Sequence, residues 1–183
     1  MSIERVNLLA TSNKRINGCI KVPGDKSISH RAIIISSIAQ GRTEINGYLD
    51  ATDVNATINA CRAIGAAIEK SNDTLIIDGN DLERHHGDAI DLNFGNSGTS
   101  MRLMMGILSA QKFSSVLIGD ESLNQRPMDR VSNPLLRMKA DIKTSDGKPP
   151  VYIDPVPSIK CIDHMVDIAS AQIKSSIMLA GLY

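Results

Sequence analysis

The sequence predicts an α/β fold, of the α+β kind, in which one unit of secondary structure recurs along the chain. Three observations support this prediction. Short strand patterns alternate with apolar helical patterns, the order of the elements returns after about 70 residues, and three helix openings carry similar small polar residues. Each unit runs strand, turn, helix, strand, helix, hairpin, and the chain holds two units and the start of a third.

The first unit contains an apolar helix over residues 28–39. These residues are apolar almost all round beyond Arg31, which predicts a buried helix rather than one on the protein surface. Residues 41–49 follow, and they alternate in the way of a strand that is bounded by glycines. We therefore expect a buried helix that leads directly into a strand.

A second helix and a hairpin complete the first unit. Residues 50–66 place apolar side chains at helical spacing. Asp50 or Thr52 can cap the start of this helix, and Gly65 lies near its end. Residues 67–79 have the pattern of a hairpin with an Asn-Asp turn.

The same order returns in the second unit. Residues 94–110 are a turn with glycines that leads into an apolar helix, 114–120 are a strand, 126–140 a helix and 141–154 a hairpin. Pro134 is an obstacle within the second helix, because an interior proline removes a hydrogen bond and clashes with the preceding turn. Two alternatives follow. Either the helix is kinked, or it begins at the proline with the serine or the asparagine just before it as the cap.

A third unit starts within residues 161–183, which end in a helical pattern. The chain stops inside this pattern, without a signal that ends a helix. We therefore expect the chain to be a fragment or a truncated product.

Composition limits the partners of the chain. It has 183 residues and a formal net charge of zero, so no overall positive field favours nucleic acid or an anionic membrane. Aromatic residues make up only 3%, too few for platforms on which bases stack. No apolar run has the length of a signal peptide or a membrane span. We expect no nucleic-acid or membrane partner, and any anion site must be local.

The cysteines and histidines predict no metal site. Cys19, Cys61 and Cys161 are odd in number and widely spaced, which fits neither a disulfide framework nor a zinc motif and favours a reducing cytoplasm. The pair His85-His86 lies in a polar stretch without partner ligands, which favours a surface loop over a metal site.

Three helix openings carry the residues that are suited to chemistry. They are DKSISHR (25–31), GNSGTSMR (95–102) and SAQIKSS (170–176). A helix N-terminus offers unpaired N–H groups and the positive end of a dipole, and hydroxyls beside it add donors. Since serine and threonine are also common helix caps, capping is the favoured interpretation of any one opening alone. Their recurrence at equivalent places of one unit favours a shared anionic ligand.

Cations accompany these openings. Lys26 and Arg31 belong to the first and Arg102 to the second, while Arg126 lies at the front of the second unit's other helix. Gly98 lets a ligand approach the backbone closely. Simpler interpretations exist, because Arg31 alone is explained by a surface charge and Arg126 by an ion pair with a nearby carboxylate. The chain has no GxxxxGK[ST] loop, which excludes a P-loop nucleotide site.

Four motifs together resemble the 5-enolpyruvylshikimate-3-phosphate synthase family. They are VPGDKSISHR (22–31), GNSGTSMR (95–102), GDESLNQRPMDRVSNPL (119–135) and ASAQIKSSIMLAGL (169–182), in the order in which the family has them. Ala171 stands where one branch of the family has a second serine, which resembles the branch called class II. The resemblance covers nearly the whole chain.

The resemblance implies a two-domain inverted barrel in which each domain consists of three βαβαββ units around parallel helices. It implies that residues 1–20 supply a strand segment to the other, mostly absent domain. Residues 21–183 would form two units of the N-terminal-side domain and the start of the third. The fold is therefore expected to be incomplete.

The resemblance also implies a reaction, the transfer of the enolpyruvyl group of phosphoenolpyruvate to the 5-hydroxyl of shikimate 3-phosphate. Protonation of the methylene carbon and attack by the hydroxyl give a tetrahedral intermediate, which loses phosphate. The reaction belongs to the shikimate pathway of aromatic amino-acid biosynthesis, and it needs no metal or organic cofactor. The full-length enzyme is expected to be monomeric and cytoplasmic. The 183-residue chain is expected to be inactive alone, because the family's main acid–base groups lie in the second half.

The family's motifs assign roles to particular residues. The substrate shikimate 3-phosphate would be bound by Lys26, Ser27, Arg31, Ser170, Ala171 and Gln172. Phosphoenolpyruvate would be bound by Lys26, Gly98, Arg126 and Gln172. Further positions near the cleft are Asn96, Thr99, Arg102 and Asp53. Lys26 would be the catalytic residue, since it would contact both substrates, whereas Asp53 is also explained by helix capping or ion pairing.

Two other functions stay open. UDP-N-acetylglucosamine enolpyruvyl transferase shares the fold and the chemistry, but its Lys-Asn motif is replaced here by Lys26-Ser27, and GDESLNQRP resembles the shikimate branch. Cys61 lies in the apolar stripe of a predicted helix, which favours a core residue over a reactive cysteine. The alternative from another class is a non-catalytic, phosphate-binding half-protein.

Overall fold

The computed structural model describes residue 9 and residues 17–80, 89–167 and 169–183. The helices of these residues are α1 (Lys26–Ile38), α2 (Thr52–Ala63), α3 (Gly98–Leu108), α4 (Asp129–Arg137) and α5 (Ala171–Ala180). The strands are β1 (Gln40–Asn46), β2 (Ala67–Ser71), β3 (Thr74–Asn80), β4 (Ile90–Asn93), β5 (Ser115–Ile118), β6 (Asp141–Ser145) and β7 (Lys148–Asp154). The mixture of helices and strands confirms the predicted fold class.

The elements repeat in the predicted order. The first unit contains α1, β1, α2 and the hairpin β2–β3, and the second contains β4, α3, β5, α4 and the hairpin β6–β7. Helix α5 opens the third unit. The sequence analysis assigned no element to the residues of β4, which lie directly before the predicted turn and helix of residues 94–110. The assignment of residues 1–20 to another domain falls mostly outside the described residues and stays a prediction.

Two sheets flank the helices. The first has the order β1–β3–β2 and is antiparallel throughout. The second has the order β4–β5–β7–β6, in which β4 and β5 are parallel and the other pairs are antiparallel. Parallel neighbours require a crossover connection, which α3 supplies between β4 and β5.

Tight turns close both hairpins. Asn72 has a φ of 54° in the Asn-Asp turn between β2 and β3, as the sequence predicts. Asp146 and Gly147 have φ values of 51° and 74° between β6 and β7. Two-residue hairpin turns favour such left-handed residues, because their twist matches that of the strands.

Helix α3 lies at the centre of the core. Its most buried large side chains, each at most 1% exposed, are Met101, Leu103, Met104, Met105, Ile107 and Leu108. A Cβ atom at Gly106 would lie only 2.1 Å from the backbone oxygen of Ser176. The backbones of α3 and α5 are therefore in direct contact, which a larger side chain would prevent.

One face of α1 differs from the prediction of a buried helix. Ile33 and Ile34 are fully buried, but Ile28 is 69% exposed and Ile35 is 53% exposed. Met178 of α5 is 61% exposed beside Ile35, and the two line an apolar groove between α1 and α5. The prediction is wrong for this face because no described residue covers it.

The start of α2 also differs from the prediction. Its N-cap position is Ala51, and no side chain caps the helix. The carboxylate of Asp50 accepts hydrogen bonds from Asn55 at 2.8 Å and from Lys70 at 3.1 Å instead. The carboxylate of Asp50 is thus engaged by side-chain donors and does not cap the helix. Thr52, the other predicted cap, is instead the first residue of the helix.

Helix α4 resolves the alternatives for Pro134. The helix begins at Asp129 and contains Pro134 in its interior. The alternative in which the helix begins at Pro134 is therefore wrong. The side chain of Pro134 is buried, as are those of Val131 and Leu135 on the same face, and this packing offsets part of the cost of an interior proline.

Candidate functional site

The opening of α1 is capped and carries an ion pair. The carboxylate of Asp25 accepts a hydrogen bond from the backbone N–H of Ile28 at 2.7 Å, as N-cap residues do. Lys26 is the first residue of α1, and its ammonium donates to the carboxylate of Asp53 in the first turn of α2. Asp53 therefore pairs with a cation and does not cap its own helix.

Arg31 joins α1 to α5. Its guanidinium donates to the backbone oxygen of Ser27 at 3.1 Å and to that of Ala171 at 3.4 Å. It also donates to the hydroxyl of Ser175, at 3.1 Å from Nε and at 3.0 Å from Nη2. Arg31 is thus a fixed bridge between two helix openings rather than an isolated surface charge.

The opening of α3 lies beneath two guanidinium groups. Ser97 caps the helix by accepting from the backbone N–H of Ser100 at 3.3 Å. Gly98 is buried, and its backbone N–H lies 3.0 Å from the backbone oxygen of Asn96. A Cβ atom at Gly98 would lie 2.9 Å from Nη1 of Arg102 and 3.4 Å from Nη1 of Arg126. The absence of a side chain therefore leaves room for both cations.

Gln172 connects α5 to the opening of α3. Its Nε2 donates to the hydroxyl of Thr99 at 2.9 Å, and its Oε1 accepts from Nη1 of Arg102 at 3.2 Å. Arg102 also donates to the backbone oxygen of Pro127 at 2.9 Å. These contacts hold the guanidinium of Arg102 at the junction of α3, α5 and the segment before α4.

Arg126 is held by a polar side chain. It donates to the side-chain oxygen of Asn96, and more weakly to the hydroxyl of Ser122 at 3.5 Å. The amide of Asn96 donates in turn to the carboxylate of Asp120 at 2.9 Å. Asp120 therefore fixes Asn96, which presents its oxygen to Arg126. The alternative of an ion pair between Arg126 and a nearby carboxylate is not seen among the described residues.

Arg130 is a residue that the sequence reasoning missed. It lines a polar cavity together with Arg102, Ser170 and Gln172. It is the second residue of α4 and belongs to the same sequence motif as Arg126, GDESLNQRPMDRVSNPL (119–135). The second arginine of this motif is the signal that could have indicated it.

Burial and like charge act together on Arg102. Burial lowers the pKa of its guanidinium, and the neighbouring charges of Arg126 and Arg130 lower it further. Neighbouring like charges repel one another, and an anion between them offsets this repulsion because it attracts both. The electrostatics of the α3 opening therefore favour a bound anion.

The opening of α5 completes the site. The hydroxyl of Ser170 accepts from the backbone N–H of Ile173 at 3.4 Å and thus caps the helix. Ala171 contributes its backbone oxygen to Arg31, and Gln172 contributes its side chain to α3. The structure therefore places the sequence-predicted residues within two turns of the N-terminal ends of α1, α2, α3 and α5 and in the segment before α4.

Other classes of site have little support. No group of three or more metal-ligating side chains occurs among the described residues, and the pair His85-His86 lies outside them. Within the described part of the chain, no helix is both long and apolar enough to cross a membrane. Cys61 is buried, and burial raises the pKa of its thiol to about 12. A core role for Cys61 agrees with these values, because a reactive cysteine requires an accessible thiolate.

Comparison with known proteins gives a consistent result. The family model of EPSP synthase (3-phosphoshikimate 1-carboxyvinyltransferase) matches residues 10–183. The 3-phosphoshikimate 1-carboxyvinyltransferase of Vesicomyosocius okutanii is 51% identical over 166 residues, which are 91% of this chain and 38% of that relative. The enzyme of the same name from Hydrogenovibrio crunogenus is 50% identical over 170 residues, 92% of this chain and 38% of its own length.

A solved structure has the same fold. EPSP synthase from Acinetobacter baumannii superposes with a TM-score of 0.84 at 47% sequence identity, over 90% of this chain and 38% of that one. The chain therefore spans about two fifths of the length of the relatives that it matches.

Proposed function

Since this chain belongs to the EPSP synthase family, we propose that it forms part of an enzyme that transfers the enolpyruvyl group of phosphoenolpyruvate to the 5-hydroxyl of shikimate 3-phosphate. The chain would supply the portion of the site that holds the two anionic substrates. The remaining portion, with further acid–base groups, would come from the part of the family's length that the chain does not span. The enzyme would work without a cofactor, as a monomer in the cytoplasm.

One observation carries the proposal. The openings of α1, α3 and α5 are joined by polar and cationic side chains, since Arg31 contacts α5 and Gln172 contacts both Thr99 and Arg102. Each substrate carries a phosphate and a carboxylate, so the two must be held together against strong mutual repulsion. Fixed cations and helix N-termini oppose this repulsion without a cost of reorganisation at the moment of reaction.

The geometry supports a division of labour between the substrates. Arg126 and the backbone at Gly98 would hold phosphoenolpyruvate, because the guanidinium fork matches a phosphate or carboxylate. Arg31, Ser27, Ser170 and the Ala171 segment would hold shikimate 3-phosphate on the α1–α5 side. Lys26 lies at the first turn of α1. Its ammonium would face both anionic substrates, either after its bond to the carboxylate of Asp53 breaks or while that bond is kept.

The proposed reaction needs three events. A proton is added to the methylene carbon of phosphoenolpyruvate while the 5-hydroxyl oxygen bonds to the adjacent carbon and loses its own proton. The carbon–oxygen bond to phosphate then breaks, and the new methyl group releases a proton to restore the double bond. The positive charge of Lys26 would stabilise the charge that develops on the substrates during these events.

Measurement of phosphate release tests the activity. The complete product of the gene that encodes this chain is expected to release phosphate only when both substrates are present, whereas the 183-residue chain alone is expected to be inactive. Calorimetric titration of the chain with shikimate 3-phosphate is expected to show weak binding. Tight binding without turnover by the complete product would favour the non-catalytic phosphate-binding protein, and turnover of UDP-N-acetylglucosamine would favour the other transferase.

A matched pair of variants tests the site itself. Arg126→Gln is expected to raise the KM for phosphoenolpyruvate by about tenfold or more, since a charge-assisted bond to the substrate is lost. Arg137→Gln is the control, because Arg137 lies at the far end of α4 and contacts His164 and the backbone of Asp163. Equal effects of the two substitutions would contradict the assignment of Arg126.

A further inference from the structure

A row of buried polar side chains lies beneath the proposed site and connects three helices. His30 of α1, Thr57 of α2 and Ser100 of α3 are all fully buried. The Nδ1 atom of His30 lies 2.7 Å from the hydroxyl oxygen of Thr57, which lies 2.6 Å from that of Ser100. The hydroxyl of Ser97 lies 2.6 Å from that of Ser100 on the other side. Buried groups that are paired in this way order one another, because the low dielectric strengthens each bond.

The chemistry of the partners fixes the direction of these hydrogen bonds. The hydroxyl of Ser100 lies 3.1 Å from the backbone oxygen of Asp53, and a carbonyl oxygen only accepts, so Ser100 donates there. A hydroxyl has one proton to donate, and Ser100 must therefore accept from Ser97 and from Thr57. Thr57 has then used its own proton, so it accepts from His30. This direction assigns the proton of the imidazole to Nδ1.

The row reaches the proposed site at two places, the backbone of Asp53 and Ser97. The backbone of Asp53 receives the bond from Ser100, and its carboxylate pairs with the ammonium of Lys26. Ser97 caps α3 immediately before Gly98. The direction of the hydrogen bonds in this row thus affects the positions of both the Lys26–Asp53 pair and the α3 opening.

We propose that His30 is a positioning residue of the enolpyruvyl transfer, and that its Nδ1–H orders the hydroxyls of Thr57 and Ser100 so that the α2 and α3 openings are held in register. This inference rests on the proposed function. It assigns to His30 no contact with substrate.

The surroundings of His30 fit a neutral ring. Its Nε2 atom is buried and has no hydrogen-bond partner among the described residues. The charged groups that act on the ring are Asp53, Lys26 and Arg31. The pKa of the imidazole is lowered to about 4, chiefly by burial and also by the charges of Lys26 and Arg31, while the carboxylate of Asp53 acts in the opposite direction. A neutral ring with a proton on Nδ1 satisfies the hydroxyl row without placing a charge in the core.

Nitrogen NMR tests the tautomer independently of activity. In the complete protein with ¹⁵N-labelled histidine, the His30 signals are expected to show a protonated Nδ1 and a bare Nε2 at neutral pH. Thr57→Val removes the acceptor and is expected to change these signals, whereas Thr57→Ser keeps the hydroxyl and is expected to preserve them. A proton on Nε2 in the unsubstituted protein, or signals that Thr57→Val leaves unchanged, would overturn the assignment.

Kinetics test whether the row positions the site. Thr57→Val is expected to lower kcat/KM for phosphoenolpyruvate by about tenfold, because the buried N–H of His30 loses its hydrogen-bond acceptor. Thr57→Ser is expected to restore most of this loss. Ser109→Ala is the matched control. The hydroxyl of Ser109 is buried at the other end of α3, and among the described residues it bonds only to the backbone oxygen of Met105, at 2.6 Å.

The outcomes distinguish this inference from the proposed function. Normal kcat/KM in Thr57→Val, or an equal loss in Thr57→Val and Thr57→Ser, would overturn the positioning role while the enzyme activity stands. Loss in Ser109→Ala equal to that in Thr57→Val would likewise overturn it, because the effect would be one of general packing. Absence of turnover in the unsubstituted protein would overturn both the proposed function and the positioning role. The NMR measurement would then test only whether the proton of His30 lies on Nδ1.

Discussion

The ammonium of Lys26 pairs with the carboxylate of Asp53 across the first turns of α1 and α2. The lysine side chain is 49% exposed and the aspartate side chain 28%. Ion pairs with this much exposure contribute little to stability, about 0–1 kcal/mol. The importance of the pair therefore lies in where it holds the ammonium, which is the opening that would face both substrates.

Replacement of Asp53 is expected to separate stability from function. Asp53→Asn removes a negative charge beside Lys26, so inorganic phosphate should bind more tightly, while turnover should fall because the ammonium is no longer held in place. The free energy of unfolding should change by less than about 1 kcal/mol. Titration with phosphate, urea unfolding and phosphate-release kinetics measure the three quantities.

An ion pair elsewhere on the same segment supplies the control. Asp50 pairs with Lys70 at 3.1 Å and is also exposed, but it lies outside the site. Asp50→Asn is expected to change stability by a similar small amount and to leave phosphate affinity and turnover unchanged. A similar gain in phosphate affinity in both variants would show that the effect is one of overall charge.

A side chain at Gly98 is expected to disturb the site through the two guanidinium groups. The Cβ atom of Gly98→Ala would lie 2.9 Å from Nη1 of Arg102, which must shift, and 3.4 Å from Nη1 of Arg126, which it would touch. We expect a higher KM for phosphoenolpyruvate in the complete enzyme. The family resemblance implies that the inhibitor glyphosate occupies the phosphoenolpyruvate pocket, so its inhibition constant should rise as well. Gly181→Ala is the control, since its Cβ would make only ordinary contacts at 3.5 Å. An unchanged inhibition constant in Gly98→Ala would contradict this prediction.

The close approach of α3 and α5 makes Gly106 sensitive to substitution. In Gly106→Ala the added Cβ would lie 2.1 Å from the backbone oxygen of Ser176, so the helices must separate. Overpacking of this kind costs about 1–3 kcal/mol. Urea unfolding should show this loss of stability, together with weaker phosphoenolpyruvate binding because Gln172 of α5 would move away from Thr99. A variant as stable as the unsubstituted protein would indicate that the helices are not held in contact.

The buried imidazole of His30 predicts a pH dependence of stability. Its pKa is about 4 in the folded protein, against an ordinary value of 6.5. The native state binds fewer protons than the unfolded state between these values, so stability is fully present above about 6.5 and is lost as the pH falls towards 4. The loss should be on the order of 3 kcal/mol, since each unit of difference between the two pKa values corresponds to about 1.4 kcal/mol.

Urea unfolding at several pH values measures this dependence. His30→Asn keeps a polar donor near the position of Nδ1 but cannot titrate, and the slope of stability against pH between 4 and 6.5 should therefore decrease. The difference between the two proteins isolates His30 from the carboxylates that also titrate on acidification. Identical slopes in both would mean that His30 does not carry the effect.

Local signals account for the parts of the fold that the sequence predicted. The Asn-Asp turn at Asn72, the end of α2 near Gly65 and the repeated order of elements all follow from backbone preferences and hydrophobic periodicity, which act over a few residues. The exposed face of α1 was not predictable in this way. Apolar residues all round a helix indicate what it can bury, whereas the elements that cover it depend on distant parts of the chain.

The site divides in the same manner. By itself the sequence determined the three helix openings, their cations and the family to which they belong, because motifs preserve residue type and spacing. Only the tertiary structure decided that Arg31 reaches Ser175, 144 positions away, and that Gln172 joins Thr99, 73 positions away. It also decided that Arg130 lines the cavity and that His30 is buried against Thr57. Such contacts arise from the packing of helices that are remote in sequence, and no local pattern specifies them.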